Sequence, residues 1–143
     1  MPAGPEALGF VYFIATKYAG YTAYCRWAIQ PRLQRSPKPV RSAWFAGALR
    51  TLIGVAIGAV VGLSFWKIPY FASHDNASEA AFWGLLVPVR VGEWWLLIQL
   101  MYKSLLNRRQ RLSLIGGGIL TSFALDFIGI VCAFALPGGM WVC

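Results

Sequence analysis

The chain has 143 residues, of which 58% are apolar and 13% charged, with a net charge of +8. A soluble domain is roughly 45–50% apolar and ~25% charged. A chain this short has too little interior to hide the excess, so composition excludes soluble and disordered classes. Length fits one domain over residues 1–143. With the apolar residues in long blocks, the expectation is an all-α, polytopic membrane protein, a bundle of four transmembrane helices with short loops.

The N-terminus, MPAGPEALGF, has no basic leader region and no A-x-A site. It does not read as a cleaved signal, so the first span is expected to be retained. That span covers about residues 8–29, long enough to cross ~30 Å at 1.5 Å per residue. It is the least apolar of the four, carrying Lys17, Tyr12, Tyr18, Tyr21 and Tyr24, so one side should face protein. The segment 30–42 follows, basic and with Pro31, Pro37 and Pro39. Those prolines predict extended chain, suited to lying along anionic headgroups.

The second span, 43–66, carries Gly54, Gly58 and Gly62 at four-residue steps, a stripe that lets helices approach closely. Arg50 sits one turn earlier on that stripe and should point into the seam. The outer loop, KIPYFASHDNASE, contains His74, Asp75 and Glu79, and its Asn76-Ala77-Ser78 matches a glycosylation triplet. Solvated loop, not a metal site, is the expectation. The third span, 80–102, holds Arg90 and Glu93 three residues apart on one face. Pro88 predicts a kink beside them, and Trp94 and Trp95 are expected to pack the bundle or to wall a pocket. The segment 103–111 adds Lys103, Arg108, Arg109 and Arg111. The fourth span, 112–136, places Gly118, Ser122, Asp126, Gly129 and Ala133 on one small, polar stripe. Gly116-Gly117-Gly118, near the basic residues, reads as a phosphate-admitting helix start or as a flexible hinge. Trp44, Trp66, Trp83 and Trp141 suit the interface belts.

Nine basic residues (Arg26, Arg32, Arg35, Lys38, Arg41, Lys103, Arg108, Arg109 and Arg111) lie on one side of these spans, against Lys67 on the other. The positive-inside rule puts loops 30–42 and 103–111 in the cytoplasm and both termini outside, in a cytoplasmic (inner) membrane. Because the basic residues flank apolar blocks, anionic lipid is the expected partner and nucleic acid is not. Cys25, Cys132 and Cys143 form no C-x-x-C pair, and His74 is the single histidine. No metal site or cofactor is expected, and P-loop, dinucleotide and zinc-protease motifs are missing.

The informative residues are the charges inside the spans: Lys17, Arg50, Arg90, Glu93 and Asp126. Facing lipid, these five would cost on the order of 12–17 kcal/mol, which rivals the stability of a whole domain. They must therefore converge. Arg90 is expected to pair with Glu93, and Asp126 with Arg50 or Lys17. One cation is then left over, to be neutralised by loss of a proton or by an anionic ligand. The candidate substrate-binding set is Lys17, Tyr21, Arg50, Arg90, Glu93 and Asp126.

The leading functional expectation is a small transporter or channel-like protein for an anionic small molecule or lipid phosphate, with Glu93 or Asp126 as the protonatable group. Four helices make a thin carrier, so a homo-oligomer is expected. The second reading is a non-catalytic subunit of a larger membrane complex. The third is an intramembrane enzyme acting on a lipid-like substrate, with no catalytic residue assigned because no nucleophile arrangement is visible.

Overall fold

The computed structural model describes residues 7–33, 42–66 and 75–135. Pro37, Pro39, Lys67, His74, Trp141 and Cys143 lie outside those ranges. The expectations for Gly62, Trp66, Trp83, Cys132 and Ala133 concern side chains that are likewise outside the described set.

The described residues are helical and contain no strand. Helix α1 spans Ala7–Tyr24. It runs through a π turn, Cys25–Ile29, into the one-turn α2, Gln30–Leu33. Helices α3 (Ala43–Trp66), α4 (Asp75–Tyr102) and α5 (Arg108–Ala135) follow. The long helices form a closed ring in chain order: α1 packs on α3 and α5, and α4 packs on the same two.

Two helices are long and apolar enough to cross a membrane, α3 over Ala43–Val60 and α5 over Arg108–Gly129, each with mean hydropathy 1.6. The four spans read from the sequence are therefore met by two on this measure. α1 is diluted by Lys17 and its tyrosines, and α4 by Asp75, Glu79, Arg90 and Glu93.

Several boundaries differ from expectation for local reasons. Pro31 lies in α2 and not in extended chain. Proline has no N–H to give to a carbonyl one turn back. Immediately before it the helix widens, and the N–H of Gln30 reaches the carbonyl of Cys25 five residues back. The segment 103–111 shortens to 103–107, because α5 begins at Arg108. Asn107 explains that start. Its Oδ1 accepts the N–H of Gln110 at 2.9 Å, and Gln110 Oε1 accepts the N–H of Asn107 at 3.1 Å. This reciprocal capping box is legible as N-x-x-Q. Ser42 caps α3 in the simpler way, its Oγ accepting the N–H of Phe45 at 3.3 Å. α4 begins at Asp75, so Asn76-Ala77-Ser78 is helical and not loop. The helix continues through Pro88.

The end of the bundle that holds α2 and the 103–107 turn has an apolar core. Cys25, Ile29, Leu33, Ala43, Ala46, Ile98, Tyr102, Leu106 and Leu114 are buried together there. Tyr24 ties α1 to α5, its hydroxyl donating to the carbonyl of Leu114 at 2.7 Å. The outer surface is apolar as well: Leu52, Val60, Leu112, Leu120 and Phe127 are all exposed.

Candidate functional site: an ion-pair chain inside the bundle

Each long helix contributes charge to the centre of the ring. Lys17 comes from α1, Arg50 from α3, Arg90 and Glu93 from α4, and Asp126 from α5. All five are at most 5% exposed, and Arg50 points into the bundle as its place on the stripe suggests. They alternate in sign along one connected chain. Lys17 Nζ pairs with Asp126 Oδ1. Asp126 Oδ2 accepts from Arg90 Nη2 at 2.9 Å. Arg90 Nη1 reaches Glu93 Oε2 at 3.1 Å, and Arg50 Nη2 reaches the same oxygen at 2.5 Å.

The expected Arg90–Glu93 pair is present. Of the two partners offered for Asp126, Lys17 is the one it meets. Arg50 goes to Glu93 instead, and Asp126 takes Arg90 as its second cation. No cation stands apart: the positive excess is spread over shared carboxylates, three cations on two anions.

Aromatic and small residues shape this centre. The guanidinium of Arg50 lies 4.6 Å from the Tyr21 ring centre and 5.1 Å from that of Trp94, a cation–π arrangement strengthened by exclusion of water. Tyr21 meets Trp94 edge-on at 5.7 Å. Ser122 accepts from Trp94 Nε1 at 3.0 Å and from Arg50 Nη2 at 3.4 Å. Lys17 lies against Phe13 and Tyr21. Tyr21, expected as a site residue, is thus a buried wall of the centre. Trp94 was expected as pocket wall and is fully buried, but Trp95 points outward and is half exposed. Glu93 and Trp94 already fill the inward arc of α4, and a further 100° step turns Trp95 out of it.

Among the glycines in close contacts, Gly118 and Gly54 border the charged centre. A Cβ on Gly118 would stand 2.3 Å from the Trp94 ring, which needs that vacancy to lie flat on α5. A Cβ on Gly54 would stand 3.1 Å from Arg50 Nη1 and 3.7 Å from Glu93 Oε1. The start of the glycine stripe therefore accommodates a charged side chain, not the neighbouring backbone that its spacing suggests.

Among the described residues four buried guanidinium nitrogens have no hydrogen-bond partner: Arg50 Nε, Arg50 Nη1 and Arg90 Nε at the centre, and Arg111 Nε near the start of α5. Arg90 borders a half-open space of about 10 Å³, whose other walls are Phe13, Lys17, Tyr21, Thr51, Gly54 and Val55. A void of that size holds about one water-sized particle. A separate, open crevice of about 220 Å³ lies at the start of α5, among Arg32, Asn107, Arg109, Gln110 and Ser113. Arg32 reaches across it to Ser113 Oγ at 3.5 Å.

Compared with known protein families, characterised proteins and solved structures, the chain matches none.

Proposed function

We propose that the chain is an integral membrane protein whose four long helices all cross the bilayer, and that it carries a small anion through the centre of the bundle. The observation that carries the reading is the charge count at the centre. Three cations share two carboxylates in a buried centre, and guanidinium N–H groups there lack acceptors. Such groups are costly to bury unsatisfied, and an anion removes both the positive excess and the missing acceptors.

The membrane part of the reading is supported by an inverted distribution of residues. Charged and hydroxyl side chains occupy the centre, while large aliphatic and aromatic side chains cover the outside. The two most apolar helices have only 33% of their span windows buried, whereas the core helix of a soluble protein is mostly covered. α1 and α4 cross with them because their charges face the same shielded centre. The end of the bundle that holds α2 and the 103–107 turn lies at the cytoplasmic face of an inner membrane. The Arg32–Arg109 crevice there suits anionic headgroups. Both carboxylates find their cations within one chain, which favours a carrier over a subunit whose charges wait for a partner polypeptide.

Glu93 and Asp126 act as the gates, because each holds two cations on different helices. Protonating either one releases a contact between neighbouring helices: α3–α4 through Glu93, α1–α5 through Asp126. Anion efflux from vesicles containing the purified chain tests this. Wild type is expected to release a small inorganic anion, and Glu93→Gln and Asp126→Asn to stop release. Wild-type efflux from both variants would sink the proposed site. Native mass spectrometry of the protein from its own membrane checks the expected homo-oligomer, and stoichiometric foreign chains would move the assignment to an assembly subunit.

A further inference from the structure

We infer that the open crevice between α2 and the start of α5 binds the phosphate of an anionic phospholipid, whose acyl chains run along the outer face of α5. The inference rests on the membrane part of the reading above and is independent of anion transport.

The crevice has about 220 Å³ and is lined by Arg32, Asn107, Arg109, Gln110 and Ser113. Two elements build it. Leu33, buried in the apolar end, anchors α2 and holds Arg32 beside α5. Among the described residues neither Arg32 nor Arg109 pairs with a carboxylate. Glu93 and Asp126 are engaged at the centre, and Asp75 and Glu79 stand at the other end of α4.

The capping box turns this wall into a set of donors. Asn107 Oδ1 and Gln110 Oε1 each accept a backbone N–H. With both amide oxygens so engaged, each side chain has its NH2 group left to donate. Arg32, Arg109 and the Ser113 hydroxyl complete the wall. Every side chain in it can donate, and none is an ionised acceptor. Phosphate oxygens only accept, and arginine matches them with paired N–H groups. The ammonium of a zwitterionic headgroup would find no carboxylate here, so the lining selects an anionic headgroup.

The surface next to the crevice decides between a lipid and a soluble phosphate. Arg109, Ser113, Gly116, Leu120 and Phe127 follow one helical stripe, and all are exposed. Its two polar residues stand at the crevice, and the rest of the stripe is apolar, with Leu120 72% and Phe127 67% exposed. A Cβ on Gly116 would meet nothing within 4 Å, so the surface is open where acyl chains would leave the headgroup. A phosphate position that leads into an uncovered apolar stripe matches a phospholipid lying along a helix. A soluble phosphate would use only the first part of it.

Native mass spectrometry of the purified chain in detergent tests the site, by titration with phosphatidylglycerol, phosphatidylcholine of the same acyl chains, or glycerol phosphate. Detergent removes the diffuse attraction of a charged membrane, so local contacts are read. Phosphatidylglycerol is expected to bind tighter than phosphatidylcholine. Arg32→Gln and Arg109→Gln are each expected to weaken it by roughly fivefold, the upper end for an exposed ion pair. Arg108→Gln, exposed but outside the crevice, is expected to bind as wild type does. An equal loss in Arg108→Gln would overturn the crevice as the site. Equal binding of the two lipids by wild type would overturn the anionic headgroup, and this comparison decides even if a variant does not fold. Displacement of phosphatidylglycerol by an equal concentration of glycerol phosphate would overturn the lipid in favour of a soluble phosphate. Alkaline carbonate extraction of the reconstituted chain reads the membrane assignment separately. Release from the vesicles would remove that assignment and the lipid site with it, whereas retention without a preference for phosphatidylglycerol would remove the lipid site alone.

Discussion

At one end of the bundle, Ile29, Leu33, Ala46, Ile98 and Leu114 meet as an ordinary apolar cluster. One to two turns away, Tyr21 and Trp94 close instead over Arg50 and Ser122. In a soluble protein the first region would supply most of the stability. In a bilayer, lipid is as apolar as leucine, so packing and polar contacts between helices carry more of the weight. The charged centre links all four long helices, whereas the apolar end sets how closely they fit.

The sharpest way to break this comparison is Glu93→Gln. It weakens the one oxygen that both Arg50 and Arg90 share, leaving buried guanidinium charge undercompensated, and is expected to cost about 3–5 kcal/mol. Thermal unfolding in detergent would show it as the largest loss in the series. Gly118→Ala comes next. It drives a methyl into the Trp94 ring and is expected to cost ~1–3 kcal/mol by overpacking, with a change in tryptophan fluorescence as Trp94 shifts. Asn107→Ala removes the capping box at the start of α5 and should cost ~1 kcal/mol, seen as faster hydrogen exchange in the first turn of that helix. Ile98→Val at the apolar end is expected to cost least, ~0.5 kcal/mol, because the transfer part of the usual ~0.5–1.5 kcal/mol is weak in lipid. A loss from Ile98→Val that equals the loss from Glu93→Gln would reverse the ranking of the two regions.

Much of the site could be read before any coordinates. Helical spacing put Arg90 with Glu93, set Ser122 and Asp126 on one stripe of α5, and turned Arg50 inward. Spacing within a helix could not say which cation crosses to which carboxylate. That depends on the relative rotation and height of α1, α3 and α5, which brings Asp126 to Lys17 and Arg90 and leaves Arg50 to Glu93. The capping box at Asn107 was legible as N-x-x-Q and marks where α5 starts. The π turn before Pro31 had a weaker signal, a proline within reach of a helix end.

The sequence by itself determined that the chain is helical, that it carries five charges where helices are apolar, and that those charges must meet. Periodicity and the cost of leaving charge on an apolar helix face require that much. Only the tertiary structure decided that Glu93 and Asp126 would each be shared by two cations, that Trp94 would turn inward and Trp95 outward, and that a water-sized space would remain above Gly54. These follow from how side chains on different helices interlock, and the pattern along one helix does not contain that information.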